Sequence, residues 1–499
     1  MSAATIPVPE ITSVEQARGL VTDLLSQLQE AQWRVAQLEK QLYGPSSERR
    51  AESTFSKEQV LLSLFAAPAQ APATQEVLVE PTQTGEPRPR RQFAVKALET
   101  VTQRLEPEEK VCPHCGQEKC EIGCEKSERY QYIPAKIIRQ EILRPKLACR
   151  CGQAGVSIAP LPPSLITQGS ADSSLVAQVI LAKFADHLPL YRQQQMFARL
   201  GVHFPKSTLG DWVEQGASGL QPIVREMKRQ LLAGDYVQAD ETPVKVMDPD
   251  VKGKTVKGFL WVMGVPAGNV VFEFHSGRGK AEAKKLLGGF QGYLQRDGYS
   301  AYSSLVKEPG QQLIPVGCWA HARRKFVEAE LEDPSHASPF VNELRKLYIV
   351  EAVAREKQLG PPARKALREE KSRPVLEALL PKLEQAVAQH LPQSPLGKAA
   401  KYCLNEWTAL TRYLEDGRLE IDNNLTENAI RPSAVGKKNW LFIGHPEAGW
   451  RSAVIYSIVV SCQRHGLDPA HYLTDVLRRL PAMKQSELPT LLPQNWKPL

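Results

Sequence analysis

Apolar residues at Val21, Leu24, Leu28, Ala31, Val35, Leu38 and Leu42 recur in alternating three- and four-residue steps. This is the a/d seam of a coiled coil over about three heptads, and it equally suits an amphipathic helix docked on its own domain. Gly44 and Pro45 end it. Residues 66–92 are rich in Pro, Ala and Gln with little to bury, which predicts a flexible linker. Helical spacing returns over 173–216. There "YRQQQMFARL" stops at Gly201, a short turn follows, and Ser207 is the expected N-cap of "TLGDWVEQ". Helix, turn and second helix is the pattern of a helix-turn-helix, though many helical hairpins share it.

Beyond Gly234 the period shortens to two. "YVQAD" reads as a strand, "GFLWVMGV" and "NVVFEFH" as a hairpin about "PAGN", and "KAEAKKLLGGF" as a short helix ended by Gly288. "YLQRDGYSAY" and "QLIPVGCWAHARRKF" add two more strands, the latter running into a basic helix. Residues 328–400 are helical in pattern, with breaks at Gly360–Pro362 and Pro392, and Ser394–Pro395 start a further helix.

The chain has 499 residues, 42% hydrophobic, with a net charge of +8, which does not by itself separate a nucleic-acid binder from a basic enzyme. Runs such as "AVIYSIVV" are too short to span a bilayer, and "MSAATIPVPE" has no secretory pattern, so a cytoplasmic protein is expected. Six of the nine cysteines fall within residues 112–151. In such a chain that clustering favours metal over disulfides. Cys112 and Cys115 in "CPHCG", with Cys149 and Cys151 in "ACRCG", can close a tetrahedral site for one structural Zn²⁺. Cys120, Cys124 or His114 are alternatives for the tighter second pair. Reduced surface cysteines are the plain alternative to a metal site.

Asp240 and Asp297 fall at expected strand ends, an unfavourable setting for a carboxylate that merely faces water. Three antiparallel strands, a helix and further strands, with acids on the first and fourth, is the layout of a ribonuclease H-like sheet. "RLEIDNNLTENAIRP" supplies a third acid, Glu427, on a helix started by Asn423 or Asn424. Three such carboxylates suit two Mg²⁺ (or Mn²⁺) ions and phosphodiester chemistry. With Asn424 as cap, however, Glu427 would also fit a capping box or an i,i+4 pair with Arg431.

With "YGPSSER", "CPHCG", "HLPLYRQQQMFARLGV", "ADETPVKV", "RDGYSAY", "GCWAHARRKF" and "LEIDNNLTENAIRP" in this order, nearly the whole chain resembles the transposases of the insertion-sequence 66 family. The last four together are highly specific. The resemblance implies a multidomain α+β protein. Its expected parts are a coiled-coil leader (1–50), a linker (51–100), a zinc-binding segment (101–155) and a helical DNA-binding segment (156–230). A ribonuclease H-like catalytic domain (231–465) with a helical insertion near 328–400, and a helical tail (466–499), complete it. It implies a DDE triad of Asp240, Asp297 and Glu427, binding and joining of element-end and target DNA, homo-oligomerisation, accessory proteins from the same element, and a cytoplasmic, nucleoid-associated location. Two departures stand out: Asn428 where the family often has Arg, and the shortened Cys-Arg-Cys pair.

Arg323, Arg324 and Lys325 after His321, Arg431, Lys437 and Lys438 beside the third acid, and Lys206 with Ser207 at the second helix are the expected DNA contacts; solvated basic faces are the plain alternative. His321 is an expected neighbour of the metal site. A non-catalytic DNA-binding protein that keeps the fold, and a nuclease without strand joining, stay open as alternatives.

Overall fold

The computed structural model describes residues 136–147, 157–161, 163–166, 171–251, 253–310 and 312–498. The leader seam, the linker and Cys112, Cys115, Cys149 and Cys151 lie outside the described residues. All elements below fall in residues 141–499, within one compact unit of mixed α and β structure. Among the described residues no helix is long and apolar enough to cross a membrane.

Three helices come first: α1 (Ser173–Phe184), α2 (Leu190–Arg199) and α3 (Lys206–Leu232). Gly201 turns the chain between α2 and α3 with a φ of 85°, which a side chain resists. Two expectations are corrected here. Pro205, not Ser207, occupies the cap of α3, and Ser207 sits exposed on its first turn. The helix also does not stop near Gly216. That glycine is a packing contact, since a Cβ there would come within 2.6 Å of Ile180 Cδ1 on α1.

Five strands follow: β1 (Tyr236–Met247), β2 (Thr255–Gly264), β3 (Val270–His275), β4 (Gly292–Gln295) and β5 (Leu313–Val316). Their order in the sheet is β3-β2-β1-β4-β5. The first three are antiparallel neighbours, whereas β4 and β5 run parallel to β1. The crossovers carry α4 (Lys280–Leu286) and α5 (Ser300–Val306), as parallel pairing requires. Gly292 starts β4 at a φ of 129°, with Asp235 O only 2.3 Å from where a Cβ would stand. Only glycine lets the two strands meet there.

Contrary to the sequence expectation, β1 does not end at Asp240 but runs seven residues further, through Pro243. The reason is the free edge of the strand. Parallel pairing with β4 stops at Gln238↔Gln295, and a new bridge forms only when Ile443 N–H donates to Lys245 O at 2.9 Å. Between them the odd-numbered backbone groups face no strand: Ala239 O accepts from Asn423 Nδ2 and Pro243 O from Lys437 Nζ. Pro243 therefore forfeits no ladder bond.

After β5 come α6 (Trp319–Glu332), α7 (Pro334–Glu356), α8 (Pro361–Gln389), α9 (Pro395–Asn405) and the short α10 (Trp407–Thr411). Ser394 caps α9 by accepting from Gly397 N–H at 3.1 Å. Trp319, Phe326, Leu344, Leu379, Ala400 and Tyr413 belong to one buried cluster that joins these helices to the sheet. Then α11 (Asn424–Trp440), α12 (Gly449–Arg464) and α13 (Pro469–Arg479) close the fold. α12 covers the outer edge of β3, where Ser461 and Ser457 hydroxyls accept from Val270 and Phe272 N–H at 2.9 and 2.8 Å. A helix with two buried serines thus satisfies an edge that would otherwise invite pairing.

Candidate active site

The register brings the first two acids together. Gln238 and Gln295 are the last paired residues of β1 and β4, and Asp240 and Asp297 each lie two positions further on. Side chains alternate along a strand, so Asp240 shares the face of Gln238. Glu241 necessarily takes the opposite face. There Arg278 holds its carboxylate at 2.5 Å and Tyr302 OH donates to it at 2.9 Å. Of the acidic pair at 240–241, Asp240 has no cation partner among the described residues.

The third acid arrives on α11. The Gln238 side chain accepts from Thr426 Oγ1 at 2.9 Å and donates to Asp422 O at 3.3 Å. Gln295 Nε2 donates to Glu420 O at 2.7 Å. These bonds tie the start of α11 to the two strands. Asn423 is the cap residue, and its side chain bonds to Ala239 instead of capping the helix. Glu427 therefore stands at the fourth helical position, outside a capping box, which corrects the reading with Asn424 as cap. Its ion-pair contacts are His321 Nδ1 and an Arg324 amino group, each at 3.6 Å. Glu427 Oε1 is buried without a hydrogen bond.

Electrostatics reflect the convergence. Burial pushes the Asp240 carboxyl well above its ordinary value, and Glu241, Asp297 and Glu427 add to the shift. Nearby acids in the same segment are engaged elsewhere. Arg364 grips Glu420 at 2.7 and 2.8 Å, and Asp422 accepts from Asn424 N–H and Nδ2 at 3.0 and 2.8 Å.

Cys318, which the sequence reading passed over, adjoins this site. Its Sγ lies 3.3 Å from His321 Nδ1 and accepts from Asn423 N–H at 3.3 Å. Cys318, His321 and Glu427 offer ligand atoms all within 4.8 Å of one another. Burial raises the thiol to about 12, so the sulfur stays protonated at neutral pH. The Cys-x-x-His spacing at the start of α6 was the available signal.

The expected basic residues are less uniform. Lys325 lies over the Tyr402 ring at 4.8 Å, and Lys437 Nζ donates to Thr242 Oγ1 and Pro243 O at 3.3 and 3.1 Å. Arg324, Arg431 and Lys438 are exposed and Arg323 is half-buried. Lys206 and Ser207 are exposed on α3, an element apart from the acids.

Comparison with known proteins identifies the family. Two uncharacterized proteins of Sinorhizobium fredii (strain NBRC 101917 / NGR234), y4jD and y4qI, are each 35% identical to the chain. They align over 81% and 83% of it and over 82% and 78% of their own lengths. A third from the same organism, y4hP, is 28% identical over 93% of this chain and 88% of its own. A Drosophila P element transposase strand transfer complex covers 59% of this chain and 93% of its own at 9% identity, with a TM-score of 0.30, too low to carry an argument. Residues 109–152 match the zinc-finger binding domain of transposase IS66, and residues 457–494 the IS66 C-terminal element. Residues 168–451, which hold all three acids, match the transposase IS66 family, and the chain belongs to that family.

Proposed function

We propose that the protein is a DDE-type DNA transposase that binds element ends and cuts and joins DNA strands at Asp240, Asp297 and Glu427. The observation that carries this reading is the convergence of three carboxylates from β1, the end of β4 and the start of α11, where the charges of Asp297 and Glu427 add to the burial that raises the Asp240 carboxyl. A strand order of 3-2-1-4-5 with only the first three strands antiparallel favours a ribonuclease H-like domain. The three carboxylates suit hard divalent cations, and Glu427 Oε1 lacks a hydrogen bond, while the Cys318 thiol and His321 imidazole stand beside Glu427 as further neighbours. Asp240, Asp297 and Glu427 would hold two Mg²⁺ or Mn²⁺ ions, which when bound activate an attacking hydroxyl and stabilise a leaving oxygen.

The chain's own residues prepare that chemistry. Gln238 and Gln295 fix the spacing between the strands and α11. Arg324 offsets the charge of Glu427, His321 Nδ1 lies 3.6 Å from it, and Glu241 is kept from the site by Arg278. Exposed Arg431 and Lys438 on the same helix as Glu427 are suited to hold backbone phosphates, with Arg323 and Arg324 on α6. Residues 109–152 bind Zn²⁺ through Cys112, Cys115, Cys149 and Cys151 in this reading, and the 21–42 seam pairs protomers. A strand-transfer assay with duplex end DNA and Mg²⁺ tests it. Joined products are expected; nicks without joining would make the protein a nuclease, and no cleavage would remove the catalytic reading.

A further inference from the structure

A cavity of about 520 Å³ opens where α1 and α3 meet the connection between α11 and α12. Lys183, Gly210, Trp440, His445, Arg451 and Ser452 are among its lining residues. Lys183 is partly buried and has no acidic partner among the described residues; its ammonium lies over the Phe184 ring at 5.0 Å. Burial, and then the charge of Arg451, lower its pKa to about 8. Arg451 has one acid, Glu214, at 2.8 Å, while its Nε is buried without a partner. Glu447, the acid on the cavity rim, is 90% exposed and turns toward His445.

Glu214 offsets Arg451 on one side, whereas Lys183 shares the cavity lining with Arg451 and meets no acid among the described residues, so its ammonium is the charge left uncompensated there. Such an arrangement is stabilised by an anion. Trp440, also in the lining, has its Nε1 near Tyr456 OH and His187 Nδ1 beside Gly436. The first turn of α12, which no side chain caps, adds the positive end of a helix dipole at Ser452.

We infer that this cavity binds a phosphate group through Lys183, Arg451 and the start of α12, at a distance from the three carboxylates. Trp440 closes the helix whose first turn bears Glu427, and thirteen residues of helix separate them by about 20 Å. That is about six base pairs of B-DNA, so the phosphate of a strand lying along α11 is the occupant expected. Exposed Phe442, with Leu441 at a strained φ of 66°, forms an apolar lip beside the charged floor. A free phosphate shares the same chemistry. The assignment of the occupant to DNA rests on the transposase reading; the anion site itself does not.

Full-length protein with Lys183→Met keeps the packed stem and loses the charge, and Lys183→Arg keeps the charge. For a short end-DNA duplex, Lys183→Met is expected to lower affinity about tenfold and to reduce the slope of log affinity against log salt by about one, with Lys183→Arg near wild type. In parallel, millimolar inorganic phosphate is expected to raise the melting temperature of wild type but not of Lys183→Met. A phosphate effect lost in Lys183→Met with DNA binding unchanged would assign the site to a free phosphate. If neither measurement distinguishes Lys183→Met from wild type, the anion site is overturned. Cleavage by wild type and by Asp240→Asn on the same DNA tests the transposase reading separately.

Discussion

Gln238 Nε2 donates to Gln295 Oε1 across 2.8 Å at the point where β1 and β4 part. Both residues are wholly buried, and Tyr236 OH joins them by donating to Gln295 Oε1 at 2.5 Å. The same amides bind the backbone at 420 and 422 and the Thr426 hydroxyl, so one polar knot sets the strand spacing and the approach of α11. Every member is satisfied, which is the condition under which a buried polar network rigidifies a site.

Replacing Gln238 by Leu strands Thr426 Oγ1 in the interior and leaves Gln295 Oε1 with Tyr236 OH as its remaining donor. The expected cost is about 1–3 kcal/mol per orphaned group, with a lower melting temperature. DNA cleavage should fall more steeply than end-DNA binding, because the carboxylates lose their spacing while the basic surface persists. Binding and cleavage lost in equal measure would show that the knot serves stability alone.

The helices between β5 and α11 are anchored by a second buried network. Arg368 Nε and an amino group meet Glu351 at 2.7 and 2.9 Å, and its other donors reach the carbonyls of Tyr413, Asp416 and Leu419. Burial alone would raise the Glu351 carboxyl, but Arg368 and Arg364 outweigh it and hold the pKa below 4.5. A carboxylate held low in the folded state contributes stability above its unfolded pKa and loses it as pH falls through the folded value. Wild type should therefore lose stability below about pH 4.5 partly through this group. Glu351→Gln should be less stable at pH 7 and show a shallower loss from pH 5 to 3. Equal slopes in chemical-denaturation curves across that range would contradict this.

Purified protein is expected to carry about one zinc ion per chain. Cys112→Ser should release it and loosen the 109–152 segment with little effect on melting of the sheet. Elemental analysis without zinc, on protein never exposed to chelator, would remove the site.

Arg323 and Arg324 changed together to Ala should flatten the salt dependence of DNA affinity by about two units of slope, with sequence preference retained. Preference lost at an unchanged slope would mean that they read bases.

Much of the sheet was legible because its strands alternate and its turns are marked by Gly, Pro and Asn. Asp240 and Asp297 stood out because acids are out of place at strand ends, and Glu427 because a third carboxylate is expected on a helix. The continuation of β1 through Pro243 was not legible, since it depends on β4 ending at Gln295 and Ile443 arriving from two hundred positions away. The run of α3 past residue 216 was not legible, since sequence does not say that Ile180 packs against Gly216. Gln238 and Gln295 read as ordinary polar residues in strands, and only tertiary structure pairs them. Ser207 matched a cap by type, yet Pro205 and Lys206 start the helix before it.

The central claim is that Glu427 is a metal-binding carboxylate, and isosteric Glu427→Gln tests it most directly. With Asn423 as cap, Glu427 has no capping role to lose, and Gln retains its shape and helix preference. The variant should keep the melting temperature and end-DNA affinity of wild type while cleavage and strand transfer in Mg²⁺ fall by several orders of magnitude, as they should in Asp240→Asn and Asp297→Asn. Glu427→Gln cutting end DNA at a near wild-type rate would contradict the account.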